Sequence, residues 1–368
     1  MSASSLSTAS PSPLTPVTGI AWQEPERAAA FDNWLARVAP AHRLIPQSVR
    51  LASADASFRR YFRIDTLDTP GTRIVMDAPP DKENSAPFVH VAQLMAEAGV
   101  KVPQVLDWDQ ASGFLLLDDL GHRTMLDAID PGNAEANRPL YEQAVDALIA
   151  WQLSSKPGVL PPYDRPLLER ELALFPEWYL TQHRGVVVDG PMQEKLKRAF
   201  DAIVEQNLKA HNVYVHRDFM PRNLMMGTDA TATLGVLDFQ DAVYGPITYD
   251  IASLMRDAFL SWEEEFIIDI TARYWQKARK AGLPVDDDFG DFYRAVDWMG
   301  LQRHLKVAGI FARLTLRDGK PRYLADAPRF IGYIRVTAGR YRELTPLLRL
   351  VDEIEGTTPA TGFAFGRV

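Results

Sequence analysis

Apolar residues recur at helical spacing between Pro25 and Val38, where Phe31, Trp34, Leu35 and Val38 share one face and predict a leading amphipathic helix. The period then shortens. Residues 48–53, 58–64 and 73–77 each read as a strand, separated by the small-residue loop Ala54-Asp55-Ala56-Ser57 and the turn Leu67-Asp68-Thr69-Pro70-Gly71. Residues 83–98 return to a helical pattern stopped by Gly99, and 105–108 and 113–117 add two more strands. Beyond them the pattern is mostly helical, with candidate helices at 140–153, 167–182, 192–210, 249–259, 263–281 and 289–316. Loops are expected at 156–166 and 184–191. The pattern predicts an α+β protein of two lobes: an antiparallel-sheet N-lobe over 19–117 and a mainly helical C-lobe over 118–368. The Ser-, Thr-, Pro- and Ala-rich residues 1–18, with neither a basic start nor an apolar stretch, read as a disordered tail rather than a signal peptide.

One interruption of the helical pattern carries chemistry. Two short apolar runs, 223–226 and 234–238, flank the turn-like Gly227-Thr228-Asp229-Ala230 and predict a hairpin with Asn223 and Asp238 side by side at its open end. Just upstream lies His216-Arg217-Asp218-Phe219-Met220-Pro221-Arg222-Asn223, and Phe239-Gln240 follows. A carboxylate, a carboxamide five residues on and a second carboxylate fifteen residues later are the groups phosphoryl transfer needs. They supply a base for the acceptor hydroxyl and two oxygen ligands for the magnesium that bridges nucleotide phosphates. Any one of the three alone could be an ordinary turn residue bonded to its own backbone. Their joint spacing is what points to a kinase core.

Composition narrows the field further. A net charge of -8 argues against nucleic acid as a bulk partner, which requires a clustered basic surface. No cysteine is present, which excludes disulfides, thiolate zinc sites and a cysteine nucleophile and is compatible with a reducing cytoplasm. No apolar run reaches the roughly 18 residues needed to span a membrane.

With these pieces in order, the chain resembles the aminoglycoside phosphotransferase-like kinases, and within them the bacterial anomeric kinases of N-acetylmuramate and N-acetylglucosamine that serve cell-wall recycling. The likeness covers about residues 28–345. Besides the catalytic segment, it is carried by Arg60-Tyr61-Phe62-Arg63, Val75-Met76-Asp77-Ala78-Pro79-Pro80, Gly113-Phe114-Leu115-Leu116-Leu117-Asp118-Asp119-Leu120-Gly121 and Gln302-Arg303-His304-Leu305-Lys306-Val307. The resemblance implies Asp218 as catalytic base, Asn223 and Asp238 as metal ligands, and Asp250 as the residue that steadies the catalytic loop, with helix N-capping as its plainer role. It implies a hinge at Asp118, Asp119 and Leu120 whose backbone binds adenine. Ser57 would meet a phosphate or be a simple turn serine. The cofactors implied are ATP and Mg2+. The implied reaction moves the γ-phosphoryl group to the anomeric hydroxyl of the amino sugar.

The chain departs from the family on the third strand, where most such kinases hold nucleotide phosphates with a lysine and Arg73-Ile74-Val75-Met76-Asp77 has none. Arg60, alone among the apolar Phe58, Phe62 and Ile64, is the expected substitute, with Lys82 behind it; pairing with a carboxylate inside the N-lobe is the alternative. Arg59 and Arg63 are expected on a solvated face. In the helix from Gly300, the residues Leu301, Leu305, Ala308 and Phe311 form a core stripe, and Gln302, Arg303, Lys306 and Arg313 lie off it. Those polar residues are either solvated or, by the resemblance, the wall of an acceptor pocket in which Arg303 or Lys306 binds the sugar. Two rival functions stand: a kinase of the same fold for aminoglycosides or amino alcohols, and a non-catalytic nucleotide-binding regulator, suggested by the missing lysine.

Overall fold

The computed structural model describes residues 20, 22, 24–54, 58–68, 71–227 and 233–357. The expected tail at 1–18 and Ser57 lie outside the described residues. The chain divides into two compact units, Met1–Ala92 with Pro103–Leu120, and Gln93–Val102 with Gly121–Val368.

The first unit opens with α1 (Pro25–Val38), started by a proline in its first turn, where the missing N–H has no intrahelical partner to lose. Strands β1 (Arg50–Ala54), β2 (Arg60–Asp65) and β3 (Thr72–Asp77) follow, then α2 (Ala86–Glu97), which begins in this unit and ends in the other. Strands β4 (Val105–Asp109) and β5 (Phe114–Asp118) complete an antiparallel sheet of order β1-β2-β3-β5-β4. The register sets Phe62 opposite Val75 and Val75 opposite Leu116, so one sheet face is a row of apolar side chains. Phe31, Trp34, Leu35 and Val38 of α1 pack on that row, each at most 3 % exposed. Burying each such side chain is worth about 1.5–3 kcal/mol. The β4–β5 turn depends on Gly113 (φ 69°), where a Cβ would sit 2.0 Å from the Ala78 carbonyl oxygen.

The second unit is mainly helical. Its elements run α3 (Met125–Ala128), α4 (Ala134–Leu153) and α5 (Arg165–Leu174), which continues as a wider π-type segment over Phe175–His183. Then come α6 (Gly190–Asn207), β6 (Asn212–Val215), β7 (Leu224–Met225), β8 (Gly235–Val236) and β9 (Val243–Pro246). Helices α7 (Thr248–Met255), α8 (Glu264–Lys280), α9 (Phe289–Leu316), α10 (Ala327–Arg340) and α11 (Thr345–Glu355) close the unit. The strands form two small antiparallel ladders, β6 with β9 and β7 with β8.

Helix α9 is the axis of this unit, and here an expectation is corrected. Gln302, Arg303 and Lys306, placed off the core stripe by spacing, are 0 %, 5 % and 9 % exposed. The helix is enclosed on more than one side, with α5, α6, α7, α8 and α10 packed against it. Helical period locates a stripe but cannot show that the opposite face is also covered. Gly309 permits the closest approach: a Cβ there would lie 2.4 Å from the carbonyl oxygen of Leu174, at the end of α5. Among the described residues no helix is long and apolar enough to cross a membrane.

Candidate active site

Strands β7 and β8 pair Leu224 with Val236 and Met225 with Gly235, and the Leu237 N–H donates to the Asn223 carbonyl at 2.9 Å. This brings Asn223 and Asp238 together at the end of the ladder: Asn223 Nδ2 lies 3.4 Å from Asp238 Oδ2 and donates at 2.8 Å to the backbone oxygen of Asp218. The carboxamide thus ties the two carboxylate-bearing segments together. With its nitrogen turned to Asp218 and Asp238, its oxygen is the end left to face a cation.

The loop carrying Asp218 is clamped from below. Asp250, in the first turn of α7, accepts the His216 N–H at 2.7 Å and the Arg217 N–H at 3.0 Å, one on each carboxylate oxygen. It makes no N-cap; the residue at that position is Ile247. Arg217 needs the support, because its φ of 78° is a conformation that costs a non-glycine residue about 1–3 kcal/mol. Asp238 is likewise left-handed, at φ 64°. Burial pushes Asp250 up to about 6, opposed by His216 and the two N–H donors.

His216 does a second job. The ring is fully buried, and burial lowers its pKa, holding it neutral. Its Nδ1 accepts the Asp218 N–H at 3.2 Å, so Nε2 carries the proton and donates to the Leu237 carbonyl at 3.0 Å. One imidazole therefore links the loop bearing Asp218 to the segment after β8 that bears Asp238.

Three polar residues were assigned no role by the sequence reading. Glu171 of α5 is 4 % exposed and binds Arg217 Nη2 at 2.6 Å and Lys306 Nζ at 2.9 Å, and it accepts the Tyr163 hydroxyl. Burial works against its charge, but Lys306 and Arg217 hold its pKa below the usual value. Gln240 Nε2 donates to Asp238 Oδ1 at 2.9 Å. Asp257, just past α7, is 2 % exposed. An acid in a helical pattern was the only available signal for Glu171, and it does not distinguish a paired core carboxylate from an exposed one.

The remaining expected residues fall as follows. Lys306 is engaged by Glu171 and by the Tyr249 hydroxyl at 3.2 Å. The Arg303 guanidinium sits 5.3 Å from the Tyr249 ring centre and interacts electrostatically with Asp218. In the first unit, Arg60 faces α1, and its Nε and Nη2 reach Asp77 Oδ2 at 2.9 and 2.6 Å. Arg27 holds the other oxygen of the same carboxylate, and the Arg60 guanidinium stacks 4.1 Å over Trp22. Arg60 thus takes the carboxylate pairing that stood as its alternative. On the opposite face the expectation is corrected: Arg59 and Arg63 are not solvated. Arg59 pairs with Glu83 at 3.2 Å and Arg63 with Asp119 at 2.6 Å. The Asp119 carboxylate also accepts from Thr72 at 2.7 Å, and the Asp118 carboxylate accepts the Gln104 N–H, so both side chains are engaged within the first unit.

An antiparallel-sheet unit, a mainly helical unit and a strained loop presenting Asp218 beside Asn223 and Asp238 define a protein-kinase-like phosphotransferase. Residues 48–285 match the phosphotransferase enzyme family, and the chain belongs to it. An N-acetylmuramate/N-acetylglucosamine kinase of Pseudomonas aeruginosa is 52% identical over 86% of this chain and 89% of its own. One of Neisseria meningitidis serogroup B is 46% identical over 92% of this chain and 100% of its own. Among solved structures, an ethanolamine kinase of Plasmodium vivax superposes with TM-score 0.58 at 9% identity, covering 91% of this chain and 93% of its own. A choline kinase of Streptococcus pneumoniae gives 0.57 at 11%, covering 84% and 99%. At such identities these structures share the fold alone.

Proposed function

We propose that this enzyme transfers the γ-phosphoryl group of ATP to the anomeric hydroxyl of N-acetylmuramate or N-acetylglucosamine, giving the sugar 1-phosphate for cell-wall recycling in the cytoplasm. The observation that carries the reading is the clamped Asp218–Asn223–Asp238 arrangement in a chain whose near-full-length relatives bear that kinase name. Asp218 accepts the hydroxyl proton as the sugar oxygen bonds to phosphorus and the bond to ADP breaks. An anomeric hydroxyl is more acidic than an ordinary alcohol, which suits a carboxylate that takes the proton late in a loose transition state.

Among the described residues no three His, Cys, Asp or Glu side chains form a metal cage. That fits magnesium, which takes one or two protein oxygens and completes its shell with water and phosphate. Asp238 and the Asn223 carboxamide oxygen would hold it, and when bound it offsets the charge of the nucleotide phosphates. The backbone at Asp118, Asp119 and Leu120 is the proposed adenine contact, and Arg303 the proposed acceptor contact.

The test is turnover of a panel of free sugars with ATP and magnesium, the phosphate position being read by NMR. Amino-sugar 1-phosphates are expected, and Asp218→Asn should lower kcat by about 10²–10⁴-fold. Efficient turnover of kanamycin-like compounds with neither amino sugar accepted would overturn the reading.

A further inference from the structure

The segment after α7 is tied to the catalytic loop in a way the mechanism does not use. Arg222, next to Asn223, places its guanidinium 4.9 Å from the ring centre of Phe259. Two residues before that ring, Asp257 is buried, and its Oδ1 accepts the Phe259 N–H at 3.3 Å. Its other oxygen, Oδ2, has no hydrogen-bond partner among the described residues. The Nε of Arg303 on α9 is also buried without one. Arg303 interacts electrostatically with both Asp218 and Asp257, so the side chain with the unpartnered donor feels both the proposed base and the carboxylate with the unpartnered acceptor. Leaving a buried polar atom unbonded costs about 1–3 kcal/mol, more when it is charged, so each of the two is unusual unless something else completes it.

We propose that Asp257 Oδ2 and Arg303 Nε form an acceptor-recognition pair, the carboxylate accepting from a hydroxyl or amide N–H of the sugar and the guanidinium donating to a neighbouring oxygen. The pairing deepens the proposed function and rests on it: a polyol bearing an acetamide offers a donor and an acceptor on adjacent carbons, which an apolar or purely cationic acceptor does not. Asp257 would act as a specificity residue, since a site with a buried unpaired carboxylate rejects any analogue that lacks the donor meant for it.

The experiment compares wild-type enzyme and Asp257→Asn on N-acetylglucosamine, its monodeoxy analogues and the de-acetylated amine, recording KM for sugar and for ATP separately, with melting temperature on the same preparations. In the wild type, one analogue should lose about 10–100-fold in kcat/KM, the worth of one hydrogen bond to a charged group. In Asp257→Asn the parent sugar should lose a similar factor and the penalty at that one position should vanish, the other positions and the KM for ATP being unchanged. If Asp257→Asn keeps the wild-type analogue profile, the unpaired oxygen meets water or nothing and the inference is overturned. If the wild type accepts no amino sugar at all, the proposed function fails instead, and the two failures are told apart by the wild-type arm alone.

Discussion

Asp250→Asn is the sharpest probe of how this fold makes a catalytic site. The wild-type carboxylate accepts two backbone N–H groups, from His216 at 2.7 Å and Arg217 at 3.0 Å, in a fully buried setting. An amide of the same shape keeps one acceptor and turns an NH2 toward the other N–H, so one bond is lost and a donor–donor contact replaces it. A hydrogen bond to a charged group is worth about 1.5–3 kcal/mol, and the same clamp holds Arg217 at φ 78°, a strain of about 1–3 kcal/mol. Releasing the clamp lets Arg217 relax, and Asp218 moves with it. A misplacement of about 1 Å at a reacting group can cost about 10²-fold. The expected outcome is a kcat lowered by about 10²-fold or more, with nucleotide affinity by calorimetry near wild type, because the substitution leaves Asn223 and Asp238 chemically intact. A variant that melts lower but turns over at the wild-type rate would refute the claim that Asp250 positions the loop.

Asp238→Ala and Asn223→Ala should both raise the magnesium concentration needed for half-maximal activity, Asp238→Ala more because it removes the charge; unchanged titration curves in both would contradict a shared site. Arg60→Ala should lower the melting temperature through loss of about 1–3 kcal/mol of pairing to Asp77 while leaving the KM for ATP within about twofold; a raised KM at unchanged stability would return Arg60 to the nucleotide. Burial pushes Asp257 up to about 6, so the folded state holds that proton more tightly than the unfolded chain. The stability this contributes is complete below about pH 4 and is lost as pH rises through about 6. Asp257→Asn removes that titration, so its melting temperature relative to wild type should rise between about pH 4.5 and about pH 7, and a difference independent of pH would refute the shift.

Much of the site was legible in the chain because its determinants are local. The hairpin that joins Asn223 to Asp238 follows from two short apolar runs and a turn, and the structure pairs them as β7 and β8. The face of α1 that packs on the sheet is the face its spacing predicts, and α9 runs from Phe289 to Leu316 as its pattern predicts. Local pattern failed where the question was which surface a side chain meets. Arg59 and Arg63 look solvated in sequence, yet Glu83 and Asp119 neutralise them; both partners are far along the chain, and no short-range periodicity encodes them. The β6–β9 ladder joins strands separated by the whole catalytic segment, so its members were not recognised as strands at all. Glu171 carries no signal of its own in the sequence, and Lys306 reads as either a solvated charge or an acceptor contact; only the packing of α5 against α9 turns them into a buried pair that also anchors Arg217. The sequence by itself determined the local elements and the order of the chemical groups, since these rest on backbone preference and periodicity. Tertiary structure alone decided which charges are paired and which are left unsatisfied, because burial and electrostatic partnership belong to contacts between distant segments.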